Sequence, residues 1–171
     1  DVDANAYYAT AVYWARMNGI VAGYSDELFG PDDIITREQM ATILYRYAQY
    51  KGYDTTAKAD LSRYTDAAQV GSYAVDAIRW ANAEGLVNGT SATTFSPNSP
   101  ITREQLAVIF YRYAQDQGWD VSAWTDLGLY QDAAQVSDYA TQALAWACGA
   151  GLITGTTDTT LSPRGSATRA Q

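Results

Sequence analysis

The sequence contains no histidine and only one cysteine, Cys148. Without histidine, Ser-His and Cys-His catalysis and histidine-containing zinc sites are excluded. A single cysteine cannot form an internal disulfide, so a small disulfide-stapled scaffold is excluded, whereas an extracellular location is not. No pair of carboxylates stands out as a glycosidase site, and no calcium-loop spacing is present. We therefore expect no enzyme activity, no metal and no cofactor.

Long apolar runs and an excess of basic residues are also missing. No run approaches the roughly 18 residues of a membrane helix, and the first residues do not resemble a signal peptide. The formal net charge is -8, which argues against nucleic acid or an anionic membrane as a partner. A local anion site is still compatible with this charge, because screening acts over roughly 8 Å at physiological salt.

The sequence does contain a repeat of 66 residues that runs without a shift in register from Trp14 to Gln171. Such a period indicates a repeat architecture. Each copy contains a tryptophan, two glycines, a Phe or Leu followed two residues later by proline, and an arginine. The equivalent positions are Trp14, Trp80 and Trp146; Gly19, Gly85 and Gly151; Gly23, Gly89 and Gly155; Phe29, Phe95 and Leu161; Pro31, Pro97 and Pro163; and Arg37, Arg103 and Arg169.

Each repeat is predicted to contain two helices joined by a loop. The first helix is rich in alanine with apolar residues at helical spacing, and the glycine after it is expected to cap it. The second helix has one buried face, for example Met40, Ile43, Leu44 and Tyr47. The predicted first helices span about 8–18, 73–84 and 139–150, and the second helices end near Gly52 and Gly118.

The second helix is predicted to begin at the segment Ile-Thr-Arg-Glu-Gln, at 35–39 and 101–105, with a looser copy at 167–171. Threonine at the N-cap and glutamine three residues later form a capping-box pattern. Arginine then occupies the first helical position, where the helix dipole does not favour a cation. We therefore infer that the arginine is present to bind an anion, with the first-turn N–H groups as further donors.

The repeats predict three domains, at residues 1–60, 61–126 and 127–171. The third repeat ends where its second helix should begin, so we expect it to lack that helix and the chain to be a fragment.

The order of these landmarks resembles the S-layer homology repeat over essentially the whole chain. This resemblance implies an all-α fold of tandem helix-loop-helix repeats in a pseudo-threefold assembly with grooves between repeats. It also implies a noncatalytic module that anchors an exported protein, with further domains, to secondary cell-wall polysaccharide bearing pyruvate ketals. We expect an extracellular location at the cell wall, without membrane insertion.

The family's key arginine corresponds to Arg37, Arg103 and Arg169. The family pattern usually has Thr-Arg-Ala-Glu, whereas Glu38 and Glu104 stand in the alanine position here, and a carboxylate beside an anion site would oppose binding. The candidate ligand-binding residues are Arg37, Arg103, Arg169, Asp1, Asp66, Asp132, Trp14, Trp80, Trp146, Gly23, Gly89 and Gly155.

Each candidate also has a structural interpretation. The arginines can pair with the repeated aspartates, the tryptophans can pack in the core or on a groove floor, and the glycines can meet backbone requirements. An alternative function is a protein-interaction scaffold on the same repeats that binds no glycan.

Overall fold

The structure, a computed structural model, describes all residues 1–171. It is helical and contains no sheet, which confirms the all-α prediction. None of its helices is long and apolar enough to cross a membrane. The five α-helices are α1 (Ala9–Met17), α2 (Arg37–Tyr50), α3 (Val75–Ala83), α4 (Arg103–Asp116) and α5 (Thr141–Gly149). Single 3-10 turns lie at Ala67–Gln69, Leu127–Leu129, Ala133–Gln135 and Asp138–Ala140.

The short helices α1, α3 and α5 end as predicted from their glycines. Gly19, Gly85 and Gly151 have φ angles of 69°, 69° and 70°, in the left-handed region that residues with a Cβ avoid. The next residue folds back on the helix: the N–H of Ile20 donates to the Ala15 carbonyl, and that of Leu86 to the Ala81 carbonyl, each at 2.8 Å.

The long helices α2 and α4 begin with the predicted capping box. The Thr36 side chain accepts a hydrogen bond from the Gln39 N–H at 3.3 Å, and the Gln39 side chain accepts one from the Thr36 N–H at 3.0 Å. Thr102 and Gln105 form the same pair at the start of α4. At each helix start, two backbone N–H groups that have no partner within the helix are thereby hydrogen-bonded.

The chain divides into two compact units: Asp1–Pro100 with Thr168–Gln171, and Ile101–Ala167. In the first unit, α2 packs against α3, and the ring of Tyr45 lies 5.5 Å from that of Trp80. Isolated bridges join Thr36 to Pro100 and Ile34 to Thr168.

The second unit has its own core between α4 and α5. The buried side chains include Val108, Leu144, Trp146 and Leu161, and the ring of Tyr111 lies 5.4 Å from that of Trp146. In both units, therefore, the second helix of one repeat packs on the first helix of the next. The pseudo-threefold assembly and the domain limits at 1–60, 61–126 and 127–171 stay predictions.

Candidate functional site

In every repeat, an aspartate fixes the loop that follows the first helix. The Asp66 carboxylate accepts hydrogen bonds from the N–H groups of Phe95 and Ser96 at 2.8 and 2.7 Å. Asp1 accepts them from Phe29 and Gly30 at 2.7 and 2.6 Å. Asp132 accepts them from Leu161 and Ser162 at 2.8 and 2.7 Å. Each aspartate therefore holds the apolar anchor of its loop through the anchor's N–H.

The arginine at each helix start holds the same anchor through its carbonyl. Arg37 donates Nε–H to the Phe95 carbonyl at 3.1 Å and Nη2–H to the Asn88 carbonyl at 2.5 Å. Arg103 donates in the same way to Leu161 and Thr154. Both arginines are buried, at 5% and 8% exposure. Hydrogen bonds from a charged donor are stronger than neutral ones, so these arginines stabilise the loop of the following repeat.

The aspartate and the arginine therefore meet at one residue from opposite sides. The pKa of Asp66 is lowered, first by the hydrogen bond from the Phe95 N–H and also, more weakly, by the charge of Arg37. The pKa of Asp132 is lowered in the same manner by the Leu161 N–H, with a weaker effect of Arg103. The anchor residue of each loop, Phe95 or Leu161, therefore lies between a carboxylate that binds its N–H and a guanidinium that binds its carbonyl.

The first-turn N–H groups of these helices are also occupied. The N–H of Arg37 donates to the Ser99 carbonyl and that of Glu38 to the Pro97 carbonyl, both at 3.0 Å. Arg103 and Glu104 donate to Gly165 and Pro163 at 2.9 Å. The prediction that these N–H groups offer extra donors to a ligand is therefore wrong, because the loop carbonyls already satisfy the helix start.

The three repeated tryptophans lie in different environments. Trp80 and Trp146 are buried at 1% and 6% exposure, whereas Trp14 is 44% exposed and meets Tyr50 edge to face, with ring centroids 5.5 Å apart. Trp80 and Trp146 are therefore core residues in their units, and only Trp14 has a ring that an external molecule can reach.

The repeated loop glycines occupy tight turns. A Cβ on Gly23 would lie 2.6 Å from the carbonyl oxygens of both Ser25 and Leu28, and one on Gly89 would lie 2.5 Å from the ring of Tyr64. Gly155 is enclosed in the same way by the Thr157 and Thr160 carbonyls. Glycine is required here by the protein's own backbone.

The first compact unit contains a cavity of about 240 Å³. Among the candidate residues, it brings together Gly23 and Arg169. Arg169 donates Nε–H to Phe29 at 2.9 Å and Nη2–H to Ala22 at 2.7 Å, and stacks over the rings of Tyr24 and Phe29 at 4.7 and 4.6 Å. Arg169 is only half-buried, so it differs from Arg37 and Arg103 in reaching an open space.

The opposite wall of this cavity is one face of α2, which sequence reasoning missed. Gln39, Thr42, Ile43 and Arg46 line it at the i, i+3, i+4, i+7 spacing of a single helix face. Of these, only Ile43 belonged to the predicted buried face. The available signal was the period itself, since glutamine and arginine recur at 105 and 112.

Glu38 lies behind the cavity and not in it. Its buried carboxylate accepts hydrogen bonds from the Gly71 N–H at 2.9 Å and the Tyr73 hydroxyl at 2.7 Å, and Tyr73 lines the cavity. Burial and then the bond to Glu38 raise the pKa of Tyr73, while the charges of Arg169 and Arg46 act to lower it. Glu104 accepts equivalent bonds from Ser137 and Tyr139. The carboxylates of Glu38 and Glu104 thus position Tyr73 and Tyr139, respectively.

The chain is built of helical repeats. In these repeats, an aspartate and the arginine at a helix start hold the loop that follows the first helix. These features define a class of modular repeat protein. The family model of the S-layer homology domain matches residues 1–41, 63–107 and 129–171. The chain belongs to the S-layer homology domain family.

Several similar proteins are surface-layer, cell-surface or cellulosome-anchoring proteins. The chain is 36% identical over 115 residues to a surface-layer 125 kDa protein of Lysinibacillus sphaericus, covering 66% of this chain and 9% of that protein. It is 33% identical over 134 residues to a cell surface protein of Thermoanaerobacter kivui, covering 75% and 18%. A cellulosome-anchoring protein of Acetivibrio thermocellus is 29% identical over 154 residues, covering 87% and 32%.

The chain therefore spans at most about a third of the length of these relatives. The shared part is an anchoring module, and its context is the cell wall and cell surface.

Proposed function

We propose that this module anchors its parent protein by binding an acidic cell-wall polysaccharide, of the pyruvylated kind, in the cavity of the first compact unit. The observation that carries the proposal is the meeting of two guanidinium groups, Arg46 and Arg169, with the rings of Tyr24 and Tyr73 around one open space. Arginine matches the planar fork of a carboxylate, and aromatic rings suit the apolar face of a sugar.

The size of the cavity supports a single sugar as the recognised unit. Its volume of about 240 Å³ lies just under the roughly 300–1,000 Å³ of pockets that hold drug-sized ligands. A polymer repeats the same sugar, so the bound unit is surrounded by identical copies that favour rebinding. The family membership supports the wall as the place where such a polymer is met.

Useful affinity requires that the ligand's charge be partly buried when it binds. An exposed ion pair contributes less than about 1 kcal/mol, whereas hydrogen bonds to charged groups contribute roughly 1.5–3 kcal/mol once water is displaced. The half-buried guanidinium groups and the stacked rings supply that partly dry environment. The net charge of -8 opposes the approach of the polymer, so binding should be contact-driven and modestly salt-dependent.

Sedimentation with purified cell-wall sacculi tests the proposal. We expect the protein to pellet with untreated walls and to stay in solution with walls from which the ketals have been removed by mild acid. Equal pelleting with both would show that the ketal is not recognised. Absence of pelleting with either, together with capture of a defined protein partner, would favour the interaction scaffold instead.

A further inference from the structure

The arginines of this protein differ in whether the chain itself uses their charge. Arg37, Arg103 and Arg169 each donate to two loop carbonyls. Two arginines form no hydrogen bond and no ion pair with the rest of the chain: Arg46 and Arg164. Arg164 is exposed and hydrated, whereas Arg46 is half-buried and lines the cavity.

Resting on the proposed function, we propose that Arg46, and not the arginine at the helix start, is the principal receptor for the ligand's carboxylate. Arg46 lines the cavity, and none of its five N–H donors has a hydrogen-bond partner in the chain. Arg169 has already committed two of its five N–H donors, one on Nε and one on Nη2, to the carbonyls of Phe29 and Ala22. A bidentate bond needs two parallel donors on adjacent nitrogens, and of the two cavity arginines Arg46 alone has both its Nε/Nη2 edge and its Nη1/Nη2 edge free.

The surroundings of Arg46 indicate an acidic ligand and not a neutral one. No carboxylate lies within ion-pair distance of it, and the carboxylate of Glu38 accepts hydrogen bonds from the Gly71 N–H and the Tyr73 hydroxyl. Arg46 is only half-buried, so water solvates its charge in the free protein, and a carboxylate that displaces this water forms a charge-assisted pair with it. An incoming carboxylate therefore gains at Arg46 an interaction that the chain leaves open.

Arg169 has a different part in the same site. Its guanidinium stacks over the rings of Tyr24 and Phe29 and ties down the loop at residues 22 and 29. It forms the wall against which the sugar packs and adds positive potential. Loss of Arg169 should therefore loosen the loop, whereas loss of Arg46 should leave the fold intact.

Isothermal titration with purified pyruvylated wall polymer, and with the same polymer stripped of its ketals, tests this assignment. The variants are Arg46→Ala, Arg46→Lys and the matched control Arg164→Ala, which removes an equally unpartnered charge outside the cavity. We expect Arg46→Ala to weaken binding of the pyruvylated polymer about tenfold to a hundredfold. Arg46→Lys should recover part of that loss, and Arg164→Ala should bind like the parent. The urea midpoints of all three should match that of the parent.

Three results would overturn the assignment, and they differ in what they mean for the proposed function. If the parent protein prefers the pyruvylated polymer and Arg46→Ala binds it equally well, the carboxylate is received elsewhere and the proposed function stands. If the parent protein binds both polymers equally or neither, the proposed function fails and the assignment fails with it. A loss of affinity for both polymers in Arg46→Ala would also contradict a role specific to the carboxylate.

Discussion

Replacing Arg103 with alanine should destabilise the second compact unit, because the structure uses this side chain to satisfy its own loop. The substitution removes the donors to the Leu161 and Thr154 carbonyls. Leu161 is fully buried, so an unpaired carbonyl there costs about 1–3 kcal/mol. Thr154 is exposed, so water replaces the lost donor at little cost. The expected loss is about 2 kcal/mol in the free energy of unfolding.

Urea denaturation followed by far-UV circular dichroism measures this loss. For a chain of this length, about 2 kcal/mol corresponds to a fall in Tm of roughly 4–8 °C. Arg164→Ala is the control, since an exposed arginine without a partner should change stability by less than about 0.5 kcal/mol. If Arg103→Ala unfolds at the same urea concentration as the parent protein, the carbonyl bonds contribute nothing and the structural role of Arg103 is refuted.

Three further substitutions test individual contacts. Tyr73→Phe removes the hydroxyl that donates to Glu38 and should cost about 1–2 kcal/mol in urea denaturation; an unchanged midpoint would contradict the link. Asp132 has a lowered pKa in the folded state, so its contribution is present above the unfolded pKa of about 4 and is lost as the pH falls through the folded value. In Asp132→Asn, the free energy of unfolding should therefore fall less steeply on acidification than in the parent protein. An unaltered pH profile would contradict the stabilising role of the Asp132 carboxylate. Gly85→Ala adds a Cβ with no atom within 4 Å at a φ of 69°, so only backbone strain, about 1 kcal/mol, should appear in the unfolding free energy; a loss of several kcal/mol would point to an unseen clash.

The helices and their ends could be predicted because local chemistry sets them. The capping boxes at Thr36 and Thr102 and the left-handed Gly19, Gly85 and Gly151 depend on residues within one or two turns. The predicted first helices were longer than the observed ones by one to two residues at each end, since helix termini fray and the preceding residues form separate turns.

The environment of the arginines could not be predicted from the sequence. The penalty for a cation at a helix start led to the prediction that these arginines bind an anion, whereas in the structure Arg37 and Arg103 donate to neutral carbonyl oxygens. The partner is a pair of carbonyls 51 and 58 residues away in the chain, and carbonyls are present in every residue, so the sequence carries no mark of them. The partners of the repeated aspartates could not be predicted for the same reason, because they are backbone N–H groups.

The cavity was missed because its residues have ordinary identities. Thr42 and Arg46 on α2 are typical of a solvated helix face, and only the fold reveals that Tyr73 and Arg169 complete a pocket there. Glu38 was expected to oppose an anion, but the proximity of Gly71 and Tyr73 engages its charge within the protein. Tertiary contacts thus decide which charges remain available.

Chemical-shift mapping of the labelled protein with a short pyruvylated saccharide tests the binding site most directly. Binding in the cavity predicts that the amide signals of Gly23, Thr42 and Tyr73 and the side-chain signal of Arg46 shift on titration, while those around Arg103 do not. A saccharide that shifts no signal from the cavity, or that shifts signals around Arg103 instead, would contradict it.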